Sequence, residues 1–147
     1  MWGHRSGVAA IAAAAITAVA AAPAVAGDRT PAPKDARAYI MTPNHGETVE
    51  SPFTVRFGLK GMGVAPAGVE QKKTGHHHLL IDTKLTSDKL NAPLPSDDNH
   101  MHFGGGQTQT TLDLSPGKHT LQLVLGDWQH IPHDPPVTSE PITITVK

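Results

Sequence analysis

The stretch Phe53-Thr54-Val55-Arg56-Phe57-Gly58-Leu59 decides the fold class, because its large apolar residues occupy every second position. In an extended chain, successive side chains point to opposite faces of the sheet. One face of this segment is therefore predicted to be buried and the other to face water. This alternation is typical of a strand in an antiparallel sheet that is covered on one side.

Other short segments repeat the alternation, and Pro and Gly residues separate them roughly every ten residues. No segment carries the apolar stripe of period 3.6 that marks an amphipathic helix. The predicted strands are residues 39–41, 53–59, 76–82, 108–114, 119–125 and 142–146. We therefore predict an all-β fold, an immunoglobulin-like antiparallel β-sandwich of about seven strands that follows an N-terminal signal peptide.

The first 26 residues differ in composition from the rest, since they hold 12 of the 18 alanines. A basic residue, Arg5, precedes the apolar run of residues 7–22, and Ala24-Val25-Ala26 follows it. This order is typical of a secretory signal peptide that is cleaved after Ala26. An uncleaved anchor helix is the alternative, but the run is shorter than the roughly 20 residues that span a bilayer.

We accordingly divide the chain into a signal peptide at residues 1–26, a flexible leader at 27–37 and one sandwich domain at 38–147. The leader contains Pro31 and Pro33, which suit an extended linker. The protein is expected to be periplasmic or secreted, with no membrane attachment after signal cleavage.

The overall composition excludes several classes of function. A formal net charge of −1 does not indicate a nucleic-acid partner, and none is expected. The absence of cysteine excludes disulfides, iron–sulfur clusters, thiolate zinc sites and a cysteine nucleophile. We expect a monomer whose partner is a metal ion or a component of the cell envelope.

Histidine is the residue type that is both concentrated and chemically capable, since nine of the ten histidines follow residue 26. They form the groups 76–78, 100 with 102, and 130 with 133, while His45 and His119 stand alone. Residues two apart in a strand share a face at about 6.6 Å spacing. His76 and His78 are therefore predicted to lie on one face, and His77 to face the core with Leu79 and Ile81.

Neutral imidazoles that converge from different strands suit zinc or copper, and a carboxylate can complete such a site. The loop at residues 126–136 is stiffened by prolines, which lowers the entropy lost when a site is fixed. Met101 lies between two histidines and would favour Cu(I). The predicted metal ligands are His76, His78, His102, His130, His133 and Asp127.

Two other interpretations stay open. In the first, the protein is a non-catalytic binding or accessory module of the cell envelope, and its histidines are structural. His77 would then be a buried ring, His76 and His78 part of a solvated face, and His119 the anchor of a turn. In the second, the protein is a metal-dependent enzyme. Catalysis is not expected, because neither a Gly-x-Ser-x-Gly elbow nor a His-Glu-x-x-His helix occurs.

Four segments together resemble a bacterial exported domain family of unassigned function. They are His76-His77-His78-Leu79-Leu80-Ile81-Asp82, His102-Phe103-Gly104-Gly105-Gly106-Gln107-Thr108, Pro116-Gly117-Lys118-His119-Thr120-Leu121 and Gly126-Asp127-Trp128-Gln129-His130-Ile131-Pro132-His133. The likeness extends from about Phe53 to Val146. It implies family membership and a periplasmic or secreted setting, but no reaction.

The opening Thr42-Pro43-Asn44-His45-Gly46-Glu47-Thr48-Val49 is also similar to the strand and turn that begin small periplasmic copper-carrier sandwiches. That resemblance implies a copper ligand at the mature amino terminus, where the family has a histidine. Here the mature chain is expected to begin at Gly27 instead.

Overall fold

The computed structural model describes residues 28–147, so the predicted signal peptide lies outside the described residues. This part of the chain contains nine strands, one 3-10 turn at Ser87–Lys89 and no α-helix. Within it no helix has the length and apolar character needed to cross a membrane. The strands are β1 (Arg37–Thr42), β2 (Thr48–Val49), β3 (Phe53–Lys60), β4 (Gly63–Val64), β5 (Thr74–Ile81), β6 (His100–His102), β7 (Gln109–Leu112), β8 (Gly117–Gly126) and β9 (Ile142–Val146).

The strands form two sheets, and the predicted all-β sandwich is confirmed. The smaller sheet has the order β1-β3-β7, and the larger has the order β2-β9-β8-β5-β4, with β6 also paired to β5. Most pairings are antiparallel, but β2 pairs with β9 and β4 with β5 in parallel. Three strands, β2, β4 and β6, lie outside the predicted segments. They have two, two and three residues and so are too short to carry an alternation that a sequence pattern could reveal.

The main core lies between the two sheets. Val55 and Phe57 of β3 are buried while Thr54 and Arg56 are exposed, as the alternation predicted. Buried leucines of β5 and β8 meet them from the larger sheet, including Leu79. Thirteen buried residues contribute: Ala38, Val55, Phe57, Leu79, Ile81, Phe103, Leu112, Leu121, Leu123, Leu125, Val137, Ile144 and Val146.

The outer face of β5 is also covered. It is therefore not the solvated polar face that the structural interpretation of His76 and His78 expected. Seven consecutive residues of β5, from Gly75 to Ile81, are buried. The connection between β5 and β6 folds back across the sheet, and Leu94 packs with Leu80 and Val124 in a second small core. The backbone N–H of Leu85 donates to the side chain of Gln122 on β8, which holds the connection in place.

The segment expected to be a flexible leader is hydrogen-bonded to the rest of the domain. The N–H of Asp134 donates to the carbonyl of Thr30, and the N–H of Ala32 donates to the carbonyl of Asp134, each at 2.9 Å. Arg29 adds an ion pair to the Asp134 carboxylate at 2.8 Å. The chain before β1 therefore runs along the loop that follows β8.

Candidate metal centre

Strand β5 supplies two histidines to one face of the larger sheet. His76 and His78 share that face, as their spacing predicted, and they are 0% and 1% exposed. Their Nε2 atoms are 3.0 Å apart. Because β5 pairs with β8 along one edge and with β4 and β6 along the other, these two rings are attached to the interior of the sheet.

Strand β6 brings a third ring. Its register places His102 directly opposite His78, and the ring centroids of His102 lie 5.1 Å from His78 and 5.0 Å from His76. The segment is extended, so His100 and His102 share a face and Met101 points the other way. Met101 packs against the core between the sheets. Its thioether therefore lies on the wrong face to join these histidines.

The loop after β8 contributes the fourth ring, that of His130. Its backbone has φ +68°, a left-handed conformation that side chains other than glycine adopt infrequently. Hydrogen bonds hold the turn: the N–H of His130 donates to the carbonyl of Asp127, and the N–H of Leu94 donates to the carbonyl of His130. In this position Nδ1 of His130 lies 3.0 Å from Nε2 of His76.

One nitrogen from each of His76, His78, His102 and His130 lies within 4.8 Å of the others. A tetrahedral ion with bonds of about 2.0–2.1 Å would place its ligand atoms about 3.4 Å apart. The four imidazoles thus converge closely enough to hold a metal ion. Two of the rings are buried, His130 is half-buried and His102 is exposed.

The protons on these rings cannot satisfy all of the close contacts. A neutral imidazole has one N–H donor and one acceptor nitrogen. Nε2 of His76 lies 3.0 Å from both His78 Nε2 and His130 Nδ1, yet it can serve as either donor or acceptor, not both. At least one of the two contacts therefore lacks a well-formed hydrogen bond. A cation placed between the lone pairs removes this conflict.

The surroundings keep the buried rings neutral. Burial, with the neighbouring histidines, lowers the pKa of His76 to about 4 and that of His78 to about 2. Burial and then His130 also lower the pKa of His102. The rings are therefore unprotonated at neutral pH, and each has a lone pair free to bind a metal ion.

Two glycines give the rings the space that they occupy. A Cβ atom built on Gly104 would lie 2.4 Å from Cε1 of His102, and one built on Gly126 would lie 2.7 Å from Nε2 of His78. The run Gly104-Gly105-Gly106 indicated a close approach by a neighbouring group. Gly126 was missed, and its only signal in the sequence is a glycine at the end of an apolar strand.

The structure places the other two predicted ligands outside the cluster. Nε2 of His133 lies 3.1 Å from the carbonyl of Thr74, and its Nδ1 lies 3.4 Å from the carbonyl of Leu125. Rigidity of the loop indicated a shared site, but Pro132 pairs with Gly126 as an isolated bridge, and His133 is buried beside β5.

Asp127 is engaged by its own loop. Its Oδ1 accepts from the N–H groups of Gln129 and Ile131, and its Oδ2 accepts from the hydroxyl of Thr30 at 2.6 Å. Since both oxygens already have donors, Asp127 shapes the turn that carries His130 and is not grouped with the four imidazoles.

Three further histidines, at positions 77, 100 and 119, have surroundings separate from the cluster. His77 is buried against Phe57, with ring centroids 5.2 Å apart, and neither of its nitrogens has a hydrogen-bond partner within residues 28–147. His119 bridges Asp82 and the carbonyl of Ser115, each at 2.8 Å, which matches its predicted role as an anchor. His100 lies between Asp97 and Lys89.

Comparison with known proteins gives one family and no individual relative. Neither the curated proteins nor the solved structures contain a significant match to this chain. Residues 55–147 match the family described as DUF4399, a domain of unknown function, and they include all four clustered histidines. The match covers more than half of the sequence, so the chain belongs to the DUF4399 family.

Proposed function

We propose that this protein binds one transition-metal ion, Cu(II) or Zn(II), through His76, His78, His102 and His130. The observation that carries the proposal is the contact of His76 Nε2 with two ring nitrogens at 3.0 Å, which the available protons cannot satisfy. A shared cation gives every inward-facing lone pair a partner. The proposal assigns binding and no reaction.

The chemistry of the donor set supports these two metals. Neutral imidazole is a common ligand of both zinc and copper. Cu(I) prefers softer thiolate and thioether sulfur, but the sequence has no cysteine, and Met101 packs into the core between the sheets. The four ligands therefore favour Cu(II) or Zn(II) over Cu(I).

The proposed setting is the periplasm or the extracellular space. The composition of residues 1–26 supports export, because a basic residue, an apolar run and an Ala-x-Ala triplet follow in the order of a signal peptide. A cysteine-free site suits an oxidising compartment, since imidazoles are not consumed by disulfide formation.

An equilibrium titration of the metal-free protein with Zn(II) and, separately, Cu(II) tests the proposal. We expect one ion per chain with a dissociation constant below about 10 μM, which corresponds to a free energy of about −7 kcal/mol. His102→Ala and His130→Ala should each weaken binding by tenfold or more, that is about 1.4 kcal/mol. Both residues are at or near the surface, so these variants should fold.

His119→Ala is the matched control, since His119 is engaged by Asp82 and Ser115 and lies outside the cluster. Its metal affinity should equal that of the wild type. The proposal fails if neither metal binds below about 10 μM. It also fails if His119→Ala weakens binding as much as His102→Ala does.

A further inference from the structure

The two halves of the candidate centre differ in their access to solvent. His76 and His78 are 0% and 1% exposed, whereas the ring of His102 is exposed and that of His130 is half-buried. A competing ligand can therefore approach the four nitrogens from the side of His102 and His130. From the other side it would meet the sheet itself.

The backbone also holds His102 less firmly than it holds His76 and His78. His76 and His78 belong to an eight-residue strand inside the larger sheet. His102 is the last residue of β6, which has three residues and pairs only with β5 among the named strands. The next turn contains Gly104, which places no side chain against the His102 ring. Rotation of the His102 ring toward solvent thus disturbs little of the core.

We propose that the centre is an exchange site, which takes up and releases its ion through the edge formed by His102 and His130. In this step a donor atom of a competing chelator forms a bond to the metal as the bond to the His102 nitrogen breaks. His76 and His78 retain the ion until further donor atoms replace them. No electron is transferred, and the freed imidazole remains neutral. This inference rests on the proposed metal-binding function.

The packing of the main core indicates that the ion is not needed to hold the sandwich together. Thirteen buried apolar residues pack between the two sheets, and none of them is a cluster ligand. A structural metal site is normally closed on all sides and supplies folding energy directly. This cluster lies at the outer face of the larger sheet and is open along one edge.

Stopped-flow transfer of Zn(II) from the loaded full chain to EDTA tests the inference. We expect the observed rate constant to rise in proportion to the EDTA concentration, because the chelator attacks the bound ion. A rate constant that is independent of EDTA would show that the ion must first dissociate from a closed site, and it would overturn the inference. If a prior equilibrium titration shows that neither Zn(II) nor Cu(II) binds, the proposed function is overturned as well. If only Cu(II) binds, the same transfer is measured with Cu(II).

A pair of glycine variants locates the edge without removing a ligand. Gly104→Ala would place a Cβ 2.4 Å from the His102 ring and displace that ring, while Gly105→Ala would meet only the flexible amide of Gln107 at 2.9 Å. Zn(II) transfer to EDTA from Gly104→Ala should be about tenfold faster than from wild type, because disturbing the groups that orient a metal ligand typically weakens metal binding at least tenfold. Gly105→Ala should match the wild type. Equal rates for the two variants would overturn the inference.

Discussion

Gly126 lies directly against His78, and a Cβ atom built on Gly126 would be 2.7 Å from Nε2 of that ring. The same Cβ would be 3.3 Å from Cα of His130. Because His78 is fully buried, its ring has little room to move away. Gly126→Ala should therefore lower the free energy of unfolding by about 1–3 kcal/mol, the usual range for overpacking. It should also weaken Zn(II) binding at least tenfold, or about 1.4 kcal/mol.

Gly63→Ala is the control for this prediction. Gly63 lies in β4 of the same sheet, and its added Cβ would meet Thr74 at an ordinary contact distance of 3.8 Å. Urea unfolding and zinc titration of both variants provide the measurements. Equal losses of stability or of affinity in the two variants would show that contact with His78 is not the cause.

The carboxylate of Asp127 is expected to control metal affinity without contacting the metal. Asp127→Ala removes the acceptor for the N–H groups of Gln129 and Ile131 and so loosens the turn that orients His130. Stability should fall by about 1–3 kcal/mol, and zinc affinity by about ten- to a hundredfold. Asp127→Asn keeps the Oδ1 acceptor and should recover part of both losses. Identical behaviour of the Ala and Asn variants would contradict this role.

The buried ring of His77 should make the fold sensitive to acid. Burial lowers its pKa to about 4, whereas an unfolded histidine has a pKa of about 6.5. Below about pH 6.5 the unfolded chain therefore binds a proton that the folded chain does not. Stability falls as the pH decreases toward about 4, by a contribution on the order of 3 kcal/mol from this group.

His77→Leu removes the group that takes up a proton when the chain unfolds. It also removes two nitrogens that have no partner within residues 28–147. Its unfolding free energy, measured in urea from about pH 4 to 7, should depend less steeply on pH than that of the wild type. His45→Ala is a useful comparison, because His45 accepts from Thr143 in an exposed part of the chain. Parallel profiles for wild type and His77→Leu would argue against the prediction.

The opposite pH dependence is expected for His119. Its Nδ1 contacts Asp82 and its Nε2 contacts the carbonyl of Ser115, so both nitrogens face acceptors and the ring is best satisfied when charged. The hydrogen bond to Asp82, followed by that to Ser115, raises the pKa of His119. The stabilisation is complete below the unfolded pKa of about 6.5 and is lost as the pH rises through the folded pKa.

His119→Gln should abolish this loss, so wild type and variant should converge in stability at alkaline pH. Thermal unfolding midpoints across that pH range provide the test. A constant difference between the two proteins at every pH would mean that the charge on His119 contributes nothing.

The fold class was predictable from the sequence because the alternation in β3 and β8 reports directly on burial of one face. The number and direction of the strands were less predictable. The parallel pairings involve β2 and β4, whose two residues are too few for a pattern. The cover over β5 was also missed, because the polar, proline-containing connection before β6 shows no periodicity, although Leu94 fills a second core.

Local strand geometry made part of the candidate site predictable, namely which histidine rings share a face. The contacts between segments that are distant in sequence were not predictable. The two-residue spacing of His76 and His78, and that of His100 and His102, fixed which rings share a face. The register between β5 and β6, which sets His102 opposite His78, depends on long-range pairing. In the last loop, His130 has a left-handed backbone, and Pro132 pairs with Gly126 so that His133 is buried beside β5. The spacing of the two histidines in the sequence reveals neither feature.

The origin of the four ligands in separate segments also sets the order of events during the life of the chain. His76 and His130 are 54 residues apart in sequence, and they meet only after β8 has paired with β5. Before folding, the chain would offer a passing ion only separate local groups, namely His76-His77-His78, His100 with His102, and His130 with His133. The middle ring of the first group later turns into the core. Under the proposed function, the four-histidine centre would therefore load only after folding, and the metal would be acquired in the compartment where the protein folds.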